Sequence, residues 1–133
     1  MDILYAEVAV SDIVFHTATV DHLLSVQAII DGIRYRAAQG LKTIYIHNSG
    51  ATLLSDSAQG DYKSDGILDD EQPGQIDTLP DSASHRSIDL AILQAGQELV
   101  PNAKMAIMIP PLIYGSLKHG YPGQMGKDLT VWN

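Results

Sequence analysis

Three short runs of β-branched and apolar residues, separated by stretches with helical spacing, constrain this chain more than any other feature. Residues 12–18 (Ile13, Val14, Phe15, His16), 43–47 (Thr43, Ile44, Tyr45, Ile46) and 104–109 read as three strands. Over residues 22–39 the positions Leu23, Val26, Ile30, Ile33 and Ala37 recur at steps of three and four, which marks one face of a helix. Asp21 is the expected N-cap of that helix and Gly40 its C-terminal stop. Ile88, Ile92, Ala95 and Leu99 repeat the spacing before the third run, with a cap expected among Asp81, Ser82 and Ser84 and an end at Pro101 and Asn102. Residues 2–9 read as the tail of a helix. Strand, helix, strand, helix, strand is the order of a parallel sheet with right-handed crossovers, so an α/β fold is expected.

In such folds ligands sit beyond the carboxyl ends of the strands. Those ends are His16, Thr17 and Ala18, then His47, Asn48, Ser49 and Gly50, then Pro110 and Pro111. Residues 55–82 hold half of the sixteen acidic residues and are broken by Gly60, Gly66, Pro73, Gly74 and Pro80, so they are expected as a surface loop. The glycine-rich tail, residues 116–133, carries one weak strand signal at 129–132.

At 133 residues the chain suits a single domain that can build a core without metal or disulfide help. Its net charge of −8 works against binding to nucleic acid or to an anionic membrane surface. The absence of cysteine removes disulfides, thiolate nucleophiles and Cys-based zinc sites together. Met1 and Asp2 open no basic leader, and no apolar stretch is long enough for a membrane span, so a cytoplasmic protein is expected. His16, His22, His47, His85 and His119 lack paired ligand spacing, and the acidic loop lacks calcium-loop spacing, so no metal is expected.

Residues 12–18, residues 43–51 and the segment Ile109-Pro110-Pro111-Leu112-Ile113-Tyr114-Gly115 resemble, in order, the second half of an extended short-chain dehydrogenase of the NAD-dependent epimerase/dehydratase family. The likeness spans residues 6–115 and is nearest a fungal epimerase-like subgroup. It implies a partial Rossmann-like, three-layer domain over the whole chain, with a short parallel sheet and its core at residues 10–115. It also implies NAD or NADP, with the backbone at Thr17 and Ala18 against the cofactor, Asn48 and Ser49 beside the nicotinamide, and Pro110, Pro111 and Ile113 closing over it.

The family's chemistry uses a Tyr-x-x-x-Lys pair on a helix, the lysine easing proton exchange at the tyrosine while hydride moves. The matching segment here reads His85-Arg86-Ser87-Ile88-Asp89, which puts His85 at the tyrosine position and Asp89 at the lysine position. A His-Asp pair at this spacing shares one helix face and could act as a base; the alternative is a capping histidine and a surface ion pair. Ser49, with Thr52, could supply the hydroxyl that orients a substrate carbonyl, or could be turn chemistry after a strand. Ile29 stands where many members have asparagine.

By the same resemblance the family's first strand, its glycine-rich turn and the residue choosing NAD or NADP would precede Met1. The tail from Leu117 to Trp132 resembles a later segment joined directly to Tyr114-Gly115. Gly120, Gly123 and Gly126 copy the spacing of the fingerprint, yet a loop precedes them and no helix follows. The expectation is a truncated relative, weak or inactive as a single chain, that takes a small-molecule substrate or none. The alternative is a non-enzymatic interaction module on a degenerate Rossmann fold, self-associating through an exposed sheet edge.

Overall fold

The computed structural model describes residues 3–55, 61–63 and 65–111. The elements run α1 (Ile3–Ala9), β1 (Ile13–His16), α2 (Leu23–Ala38), β2 (Thr43–Asn48), a 3-10 turn (Ala51–Leu54), α3 (Pro73–Asp77), α4 (Arg86–Glu98) and β3 (Ala103–Met108). All three strands are parallel and lie in the order β1-β2-β3, which bears out the α/β reading. Ile113, the tail glycines and the strand expected at residues 129–132 lie outside the described residues.

Residues alternate between the two faces of a strand, so the register sets which side chains share a face. Val14, Tyr45 and Met105 form one row and His16, His47 and Ile107 the next, on the face turned to α2 and α4. Val26, Ile29, Ile30 and Ile33 of α2 and Ile88, Ile92 and Ala95 of α4 close over that face in one core with Tyr45 and Ala103. Each fully buried isoleucine there contributes about 2–3 kcal/mol. Helix α1 packs on α2, where Gly32 lets the two backbones approach; a Cβ at that position would stand 2.8 Å from Val8 Cβ.

Ile13, Phe15, Ile44 and Met108 occupy the opposite face and are exposed, Phe15 at 67%. The expected third layer is therefore not found among the described residues, although parallel sheets are ordinarily covered on both faces. No helix among them is long and apolar enough to cross a membrane.

The amino ends of the strands are clamped by a buried arginine. Arg36, in the last turn of α2, donates to Thr43 Oγ1 (2.9 Å), Lys42 O (3.1 Å), Ala9 O (3.3 Å) and the Asp12 carboxylate. It thereby ties the end of α1 and the start of β1 to the start of β2.

Three local expectations are corrected. Asp21 does not cap α2: His22 is the N-cap, its Nδ1 accepting from Ser25 N at 3.2 Å. Asp81, Ser82 and Ser84 do not cap α4, whose N-cap is His85 in a left-handed conformation (φ 65°) with no side-chain cap bond. The segment expected as loop contains α3, which Pro73 opens at a position whose amide has no helical partner to lose. Gly40, by contrast, ends α2 at φ 74° as expected.

Candidate functional site

Parallel strands in register bring their carboxyl ends to one edge of the sheet. His16 of β1 and His47 of β2 are register partners there, facing the helices, and both are buried. Their Nδ1 atoms lie 3.1 Å apart, and Tyr45 Oη is 3.2 Å from that of His16. Only one of the two Nδ1 atoms in this contact can carry a hydrogen, the other accepting it. Burial holds both below the ordinary histidine range; His47, further lowered by His16 and His85, falls to about 4. Burial, helped by the Asp89 charge, pushes the Tyr45 phenol up.

Ser49 continues the inward alternation of β2 and donates to Asp89 Oδ2 of α4 at 3.0 Å, with both residues buried. Burial raises the Asp89 carboxyl above its usual range, opposed by the Ser49 hydrogen bond and by the charges of His85 and Arg86. Asp89 Oδ1 lies 4.0 Å from His47 Nε2, and neither atom has a hydrogen-bond partner among the described residues. Arg86 Nε shares that condition. A cavity of about 210 Å³ opens beside them, lined by Arg86, Asp89, Leu53, Ile92 and Ile107 among others. A larger hollow of about 550 Å³ lies against Tyr5 and Tyr35 on α1 and α2, but no buried titratable group lines it. The smaller cavity is the chemically equipped one.

At the surface, His85 uses both ring nitrogens. Nδ1 is 2.5 Å from Asp21 Oδ1, and Nε2 is 2.6 Å from Thr52 Oγ1. The ring is 11% exposed and rests over Gly50, where a Cβ would stand 2.9 Å from Nε2. A left-handed backbone costs a non-glycine residue about 1–2 kcal/mol and tends to be kept where function needs it. Here it aims the imidazole back across the ends of β1 and β2.

The hydrogen-bonding carboxylate of His85 is thus Asp21, not Asp89, and the exposed hydroxyl is that of Thr52, since Ser49 is buried against Asp89. Asp21 was legible only as a cap, because nothing in its neighbourhood foretells a contact across 64 residues. Of the residues expected at a nicotinamide, Thr17 and Ala18 are exposed just past β1, Asn48 is half-buried at the end of β2, and Pro110 and Pro111 follow β3. The turn between β1 and α2 contains no glycine to let a phosphate approach the backbone. Among the described residues no group of three or more His, Asp or Glu side chains is placed to hold a metal ion. No known protein family, curated protein or solved structure matches the chain.

Proposed function

We propose that this chain is a relative of the NAD(P)-dependent epimerase/dehydratases, with a Rossmann-like sheet whose strand ends form the nicotinamide side of a pocket and with His85 as its acid/base. The observation that carries the reading is the meeting of His85 with the carboxyl ends of β1 and β2, the edge at which parallel α/β sheets take their ligands. His85 stands at the position where the resembled family has its tyrosine, and an imidazole can exchange a proton near neutral pH without a lysine beside it. Binding is expected to be weak, because the turn from β1 into the N-terminus of α2 has no glycine to receive a pyrophosphate.

Residue-resolved NMR titration with NADH and NADPH tests this. Millimolar cofactor should shift the amides of Thr17, Ala18, Asn48 and Gly50, together with those around His85. Shifts confined to α1 and α2, or no shift at all, would refute it. Saturation at micromolar cofactor would overturn the claim of weak binding.

One observation favours a second reading, an interaction module: among the described residues β1 is an edge strand, and Ile13 and Phe15 beside that edge are exposed. Light scattering at high concentration decides it. Association that Phe15→Lys abolishes supports it, and a sharply monomeric profile rejects it.

A further inference from the structure

The chain Asp21–His85–Thr52 has a direction. A carboxylate can only accept, so Nδ1 of a neutral His85 carries the hydrogen toward Asp21. The Nε2 lone pair is then left for Thr52, whose hydroxyl donates to it across 2.6 Å. Thr52 is exposed, so the lone pairs of its oxygen are open to solvent. Three features hold this arrangement: the left-handed backbone of His85, the missing Cβ of Gly50 beneath the ring, and contacts to both ring nitrogens.

We propose that Thr52, rather than Ser49, is the hydroxyl that exchanges a proton with substrate, that His85 is its base, and that Asp21 is the positioning residue that fixes the tautomer of His85. This rests on the role given to His85 above. On that reading the substrate is a secondary alcohol or the matching ketone. In the oxidative direction the alcohol proton passes to Thr52 Oγ1 as the threonine's own proton passes to His85 Nε2, leaving an imidazolium against the Asp21 carboxylate. The O–H bond of the substrate breaks and an N–H bond forms. A nicotinamide cofactor at the strand ends would supply the acceptor for the hydride that leaves the carbinol carbon. Asp89 takes no part in this transfer; it holds Ser49 behind the ring.

Imidazole nitrogen NMR of the full chain tests the relay without cofactor. His85 should be the Nδ1–H tautomer, and Asp21→Ala should move it to a majority of Nε2–H, the form favoured in free imidazole. A second readout is diisopropyl fluorophosphate, which phosphorylates an activated hydroxyl: the O–P bond forms, P–F breaks, and the hydroxyl proton goes to His85 as fluoride leaves. Thr52 should be labelled. Thr52→Val should abolish labelling, Thr52→Ser should restore it, and Asp21→Ala should slow it by about a hundredfold. An Nε2–H tautomer in the wild-type chain, an unlabelled Thr52, or equal labelling in Asp21→Ala overturns the proposal. A failed nicotinamide titration with the tautomer and labelling intact would sink the cofactor reading and leave the relay standing.

Discussion

Replacing His47 with glutamine is expected to remove most of the acid lability of the fold. His47 is fully buried, and its pKa falls from 6.5 in the unfolded chain to about 4 in the folded one, first through burial and then through His16 and His85. Below pH 6.5 the unfolded chain therefore takes up a proton that the folded chain refuses. Stability is full above that pH, is lost as pH falls toward 4, and levels off below. At about 1.4 kcal/mol per pH unit, the loss reaches about 2 kcal/mol by pH 5 and about 3 kcal/mol by pH 4. His16, also lowered by burial, adds to the loss. Asp89 works the other way, since its raised pKa lets the folded chain bind a proton before the unfolded one does.

The difference between wild type and His47→Gln isolates the His47 share, whatever the variant costs in absolute stability. Urea unfolding followed by circular dichroism between about pH 7 and about pH 5 should show the wild type losing about 2 kcal/mol more than the variant. An identical pH dependence in the two proteins would refute the claim that His47 is held neutral. A steeper one in the variant would mean that the Asp89 carboxylate, 4.0 Å away, stabilises a charged His47 instead.

Gly32→Ala would drive a methyl group to 2.8 Å from Val8 Cβ and 3.0 Å from Tyr5 O, so α1 must lift from α2; a thermal melt should register a loss of about 2 kcal/mol. Gly50→Ala meets an imidazole pinned at both nitrogens, so the expected result is a lost Thr52 contact and a mixed His85 tautomer by NMR, at a stability cost of about 1 kcal/mol. Arg36→Leu leaves Thr43 Oγ1 and the carbonyls of Ala9 and Lys42 without their donor, and denaturant unfolding should show a loss of about 3 kcal/mol.

What the sequence made legible follows from which interactions are local. The strands at residues 13 and 43 onward are rich in β-branched side chains and that at residue 103 onward is largely apolar, and α2 and α4 carry their apolar residues at helical steps, so a window of a dozen residues suffices to see them. Thr17 and Ala18 fell just outside β1 because an apolar run does not say where pairing stops. Helix α3 was hidden because its five residues, Pro73–Asp77, carry no apolar stripe. The face that the described residues leave uncovered was hidden too, since Ile13, Phe15 and Ile44 are the residues an interior strand would use.

The site was half legible for a related reason. A buried polar residue in an apolar pattern marks a place where local preference is overridden, and His16, His47 and Ser49 stand out in that way at the ends of their strands. Which polar group meets which is decided by the fold, and sequence spacing misled there. His85 and Asp89 lie one helical turn apart, yet the left-handed backbone at His85 turns its side chain off the helix toward Asp21 and Thr52. Asp89, inside the regular helix, points into the core toward Ser49 and His47. One strained dihedral thus separates a pair that a regular helix would have joined. It gives the imidazole an exposed carboxylate in place of a buried one, so the charge that would accompany a protonated His85 is met at the surface, where solvating the ion pair costs little. Burial disfavours the charged form of each group, which is why the Asp89 carboxyl rises, against the pull of Ser49, His85 and Arg86, while His47 and His16 fall.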